Sequence, residues 1–323
     1  MEYKMFTDTM KQMAIAYSTV QQKLVNNLTK ETPFLKTIPY QTATHSMMNQ
    51  YENVDQVDGA DFKELGAPFK KMNVSTDIIK EDLGILGGLI EINEEKLEAL
   101  MNMPPEQAIS KYFAKRSPIV LNEAGKKTEK HLIYKHILPA ILKYNRGMTK
   151  NEGTIIDAGG SNNSNWSILA IRQELGKNCG ILAPSGQNKD ELLCMEWING
   201  GQRHAISDGT IGYAATWSAK LGYQMASLCH MGAIVNIDPD NNKNATAEMI
   251  NDLLDRIEAD ASDTVLIMNR GMRSRLYGLK KDQLTTNIED KDLNLIFDRF
   301  NGVTLLGLTT MLRGSEGNIE VPY

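Results

Sequence analysis

Apolar residues at Phe6, Met10, Met13, Tyr17, Val20, Leu24 and Leu28 recur at steps of three and four, which predicts an amphipathic helix. Thr32-Pro33 ends it, because the residue before a proline is pushed out of the helical region. One striped helix cannot bury its stripe alone, so it must dock on its own body or on a neighbour. Beyond it the pattern weakens: Phe34, Leu35 and Ile38 are followed by polar, turn-rich sequence from Gln41 to Gly66. So long a stretch without a core pattern is unusual inside a compact domain. A β-hairpin with strands near 43–52 and 66–79, packing on something outside the subunit, accounts for it.

The apolar run Leu83 to Ile92 carries Gly84, Gly87 and Gly88, which read as a turn. Asn93 is placed to cap a helix through Leu97 and Leu100, and Pro104-Pro105 stop that helix and start another through Ile109 to Phe113. The longest helical pattern runs from Ile119 to Tyr144, with a kink expected at Pro139. Its exposed side is basic, since residues 126–150 hold seven Lys/Arg and one acid, Glu129. After a loop zone from Asn145 to Asn165, strands are predicted at Trp166–Ile171, Gly180–Ala183, Leu192–Ile198 and Ala233–Ile237. A helix over 246–258, a strand at Thr264–Met268, a helix at Met272–Leu279, a turn at Phe297–Gly302 and a strand at Val303–Leu308 complete the pattern.

The chain has 323 residues and a formal charge of −5, which argues against a dedicated nucleic-acid binder. No apolar run reaches the roughly 18 residues of a membrane span. The first residues lack the order of a secretory signal, so a soluble protein made in a cytoplasm is expected. Cys179, Cys194 and Cys229 are an odd number with no Cys-x-x-Cys pair, and read as reduced thiols. Glu52, Asp55, Asp58, Asp61 and Glu64 make an acidic run against a single Lys63, and pairing of that run with a basic patch on another subunit is one reading of it.

Catalytic motifs are missing. His131 and His136 are five apart, about 140° around an α-helix, and so are not expected to share a face. Cys229-His230, read as strand neighbours, point to opposite sides. Pro184-Ser185-Gly186 lacks the first glycine of a nucleophile elbow. Asp157-Ala158-Gly159-Gly160-Ser161 is the best phosphate-cradle candidate, but Asn162, Asn163, Ser164 and Asn165 follow it with loop chemistry. No catalytic, cofactor-binding or metal residue is assigned, and no cofactor.

The order of pieces resembles the major capsid proteins of tailed bacteriophages, with the HK97-like fold. Residues 1–33 are similar to that family's N-terminal arm. Thr32-Pro33-Phe34-Leu35-Lys36-Thr37-Ile38-Pro39 is similar to the segment leading into its extended β-hairpin loop, or E-loop. Gly180-Ile181-Leu182-Ala183-Pro184-Ser185-Gly186, Thr216-Trp217, Leu221-Gly222 and Ala233-Ile234-Val235-Asn236-Ile237 look like a sub-family with an inserted β region. The resemblance implies an α+β chain: arm 1–33, extended loop 34–75, peripheral domain with a long spine helix 76–165, inserted β region 166–231, a peripheral strand 232–245, axial domain 246–302, and a return to the peripheral domain at 303–323. It implies a non-enzymatic structural protein, self-assembling as hexamers and pentamers into an icosahedral phage head. Such a shell encloses double-stranded DNA without sequence-specific binding, works with portal and scaffolding proteins, touches no membrane, and is assembled in the host cytoplasm to become part of the virion. Lys63, Lys70 and Lys71 do not match the crosslinking pattern of some relatives, so no covalent crosslink is expected. An encapsulin-type compartment shell shares the fold and differs in cargo, and a soluble α/β enzyme using the Asp157–Asn165 loop is the reading from another class.

Overall fold

Two β-sheets pack against one long helix in this computed structural model, and a two-stranded ribbon is joined to the first of them. The structure describes residues 32–58, 62–65, 67–68, 71–101, 105–173, 179–184, 193–225, 228–276, 284–290 and 295–322. The predicted N-terminal helix lies outside them.

The helix α3 (Pro105–His131) continues through a π-helical segment (Leu132–Ile137) into α4 (Leu138–Tyr144). Sequence reading splits this span into two helices and starts the long one at Ile119; the structure makes it continuous from Pro105. The expected disturbance at Pro139 takes the form of the π turn. Leu138 N–H reaches back to Ile133 O, five residues away. This wider turn takes up the backbone just ahead of a residue that has no N–H to give and whose ring crowds the preceding turn.

The first sheet joins β1 (Tyr40–Thr42), β7 (Cys179–Ala183), β10 (Ile211–Met225) and β4 (Gly84–Asn93) in that order, with β8 (Leu193–Trp197) and β9 (His204–Ala205) also paired to β10. One face packs on α3 and on α2 (Glu94–Met101), burying Ile90, Ile92, Leu97, Ile109, Phe113, Tyr213 and Trp217 together. Gly84, Gly87 and Gly88 are therefore strand residues and not a turn. At Gly88 the reason is steric, because an added Cβ would stand 2.8 Å from Trp217 Nε1. Asn93 caps α2 as expected, its side-chain oxygen accepting from Glu95 N–H at 2.8 Å.

The second sheet has the order β13 (Leu284–Asp290), β14 (Leu295–Phe300), β15 (Val303–Leu308), β12 (Thr264–Asn269), β6 (Trp166–Arg172), β11 (Met231–Ile237), β5 (Ile155–Asp157). One face meets α5 (Ala247–Arg256) and α6 (Arg270–Leu276). The other covers Ile133, Ile137 and Ile141 of the long helix, and with them Phe34 and Leu35 of α1 (Pro33–Thr37) and Ile38 just after it. Both faces being covered explains why all seven residues of β11 are buried without alternation.

Several expected boundaries move. The region read as an inserted β unit, 166–231, divides: β6 sits in the middle of the second sheet, whereas β7 to β10 complete the first sheet beside β4. The strand at 232–245, assigned to the peripheral part, lies between β6 and β5 of the second sheet, which also holds β12 of the expected axial part. The return segment 303–323 begins with β15, which runs parallel to β12 in that same sheet. The extended loop does not begin at 34, since Phe34, Leu35 and Ile38 are core. The stretch Phe297–Gly302 is mostly strand, with only Asn301 and Gly302 left for the turn, both at positive φ. Strand periodicity is local, but the partner of each strand is not.

Candidate assembly surface

The ribbon consists of β2 (Met48–Asp58) and β3 (Asn73–Asp82), paired antiparallel from Met48↔Asp82 to Asp58↔Asn73. At about 3.4 Å per residue its eleven-residue strand spans about 37 Å. Among the described residues it is held at its base. Tyr51 Oη donates to Met225 O at 3.2 Å, and Met225 N–H donates to Glu81 Oε1 at 3.0 Å. Burial raises the Glu81 carboxyl pKa, against the opposing pull of the Met225 amide, Asn49 and Tyr51.

Further out, Phe62 and Leu65 are 105% and 107% exposed, with Met72 and Ile78 also open, so nothing among the described residues covers these apolar side chains. Glu52, Glu64, Lys63, Lys71 and Lys80 accompany them at the surface. A second open apolar set lies on the outer face of the first sheet, where Ile85 pairs across from Lys220, Gly87 from Ser218 and Leu89 from Thr216. The long helix presents a third surface, with Lys111, Lys115, Arg116, Lys127, Lys130 and Lys135 exposed around Ile119. Exposed apolar groups gathered in patches are what a partner surface covers.

The C-terminal segment is tied down by two buried acids. Glu129, fully buried on α3, accepts from Thr310 Oγ, and its carboxyl is faced by the amides of Phe34 and Leu35; burial pushes its pKa up to about 7. Glu316 accepts from Tyr134 Oη at 2.6 Å and from Ser167 Oγ at 2.5 Å, and burial raises its pKa as well.

The histidines do not gather into one site. His45 sits beside Thr44, His204 beside Gln202 O, and His230 lies 3.7 Å from Glu258. His131 and His136 are a correction, however: the π turn brings residues five apart onto one side, with ring centroids 5.1 Å apart. Burial, and then the neighbouring His131, lower the His136 pKa. Cys229 and His230 lie in a 3-10 turn rather than a strand. Among the described residues no three His, Cys, Asp or Glu side chains converge as metal ligands, and no helix is long and apolar enough to cross a membrane. The Asp157–Asn165 loop is closed on itself, with Gly159 N–H donating to Asp157 Oδ1 at 2.9 Å and Asn165 fully buried.

No protein-family model and no curated protein sequence matches the chain. Solved structures do. A chain of the near-atomic structure of bacteriophage Epsilon15 is 14% identical and aligns with a TM-score of 0.53 over 87% of this chain and 88% of its own. The bacteriophage JBD30 capsid aligns at 8% identity and TM-score 0.47, over 87% of this chain and 91% of its own. The SrpI encapsulin complex of Synechococcus elongatus PCC 7942 aligns at 9% and 0.43, over 64% and 89%. The Epsilon15 alignment takes in nearly the whole chain, and with the long helix, the projecting ribbon and the two sheets it settles the architecture: this chain has the HK97-like fold.

Proposed function

We propose that this chain is a structural shell subunit that self-assembles into the icosahedral head of a tailed bacteriophage and encloses double-stranded DNA. The observation that carries the reading is the ribbon: two strands anchored at one end, bearing Phe62 and Leu65 fully open to solvent. A lone two-stranded hairpin is marginal in water, so this one requires another surface along its length. Sister copies supply it, through the open sheet face at Ile85 and Leu89 and the basic side of the long helix. Many modest contacts summed over such interfaces hold a shell without any dominant residue. The role is structural and not catalytic. Portal and scaffolding proteins are the expected companions, and the host cytoplasm the place of assembly.

Size-exclusion chromatography and negative-stain electron microscopy of the purified chain test this. Closed particles far larger than an ordinary oligomer are expected. A monomer or dimer under all assembly conditions would refute the shell reading, and particles from the native source filled with protein instead of nucleic acid would turn it to a compartment shell.

A further inference from the structure

His131, the last residue of α3, and His136, inside the π segment Leu132–Ile137, are five residues apart. On an α-helix that spacing turns them about 140° away from each other. A π turn closes its hydrogen bonds five residues back. Here the two therefore stand one above the other, as do histidines four apart on the α-helices that hold zinc. Their ring centroids lie 5.1 Å apart, with the planes inclined at 63°. His131 is exposed and His136 half-buried, the ring of buried Tyr223 standing 6.5 Å from it. Among the described residues neither imidazole makes a hydrogen bond or an ion pair, so no protein group occupies its nitrogens.

The geometry points to a two-histidine site for a divalent transition metal of the zinc, nickel or copper type, with water completing the shell. An imidazole nitrogen lies about 1.15 Å from its ring centre and about 2.05 Å from such an ion, which puts the ion about 3.2 Å from each centre. Centres 5.1 Å apart then subtend about 105° at the ion, close to the tetrahedral angle. Rings that are not parallel have planes that cross, and an ion on that line lies in both planes, as donation from the nitrogen lone pairs requires. The exposed ring of His131 turns to present either nitrogen, because that torsion is broad. The ligands also choose the metal. Imidazole suits zinc, nickel and copper, whereas calcium and magnesium want oxygens and find no carboxylate in this pair. Exposed Lys130 and Lys135 sharpen the choice, since a hard cation gains nothing here to offset their repulsion. Bound across the wide turn, the ion would hold its winding over Leu132–Ile137.

Calorimetric titration of the unassembled full chain with nickel, zinc and calcium in neutral buffer tests this. One saturable site for nickel and zinc, with which calcium does not compete, is expected. H131A and H136A should each weaken it at least about tenfold, and the double variant no further, because a chelate is lost with its first ligand. H45A, at an exposed histidine elsewhere, should leave it unchanged. H131A alters an exposed residue and decides the question if H136A does not fold. Zinc should also slow amide exchange over Leu132–Ile137 severalfold in the parent chain and not in H131A. No saturable binding, a loss below tenfold in H131A, or an equal loss in H45A would overturn the site and leave the pair a ring contact only. Binding without slower exchange would overturn the fastening of the turn.

Discussion

Tyr134 Oη donates to Glu316 Oε1 at 2.6 Å and accepts from Leu312 N–H at 2.9 Å, so one hydroxyl on the π turn holds two points of the C-terminal segment. Removing it leaves a buried carboxylate oxygen and a backbone donor short of partners. Y134F should therefore destabilise the unassembled subunit by about 2 kcal/mol, measured by chemical denaturation. An unchanged midpoint would mean that this strap adds nothing to stability.

Glu129 gives the same strap a pH dependence. Its folded pKa is raised from 4.5 to about 7, so the folded state prefers the protonated acid. The stabilisation is complete below 4.5, is lost as pH rises through 7, and stays lost above it. E129Q mimics the protonated form. At pH 8 it should be more stable than the parent by about 2 kcal/mol, with the gap closing at pH 4. Thermal melts of both proteins across this range check the sign.

Gly88 tests the packing of the first sheet. G88A would drive a methyl group into the Trp217 indole, at a cost of about 1–3 kcal/mol. A smaller residue opposite gives it room, so W217A should reverse part of the effect in the double variant, as a double-mutant cycle reads.

The ribbon separates folding from assembly. F62S and L65S alter side chains left open by the described residues, so the isolated subunit should melt as before while particle yield collapses. Assembly should also weaken as salt is raised, if acids on the ribbon meet the basic helix face of a neighbour. Denaturing gels of mature shells should give a single band and no covalent ladder.

Much of this was legible from periodicity. The cap at Asn93, the helix from 246, the strands at 264–269 and 303–308 and the hairpin itself follow from local rules, although the ends of the hairpin's strands lie three to seven residues from their expected places. The glycine run at 84–88 misled, because its cause is Trp217, a residue far along the chain. The division of strands between sheets was also hidden: β6 and β7 are adjacent in sequence but pair with different partners. The nearness of His131 and His136 depended on a helix type that spacing alone does not announce.

The long helix floors both sheets, with Phe113 under one and Ile133, Ile137 and Ile141 under the other. It therefore works as an axle. Any tilt of the half that carries the ribbon must either drag the second core along or be absorbed at Leu132–Ile137, the one stretch where the winding is already loose. Curvature differences between neighbours in a closed surface would thus concentrate at six residues, and stiffening those six should narrow the range of particle sizes the chain can build.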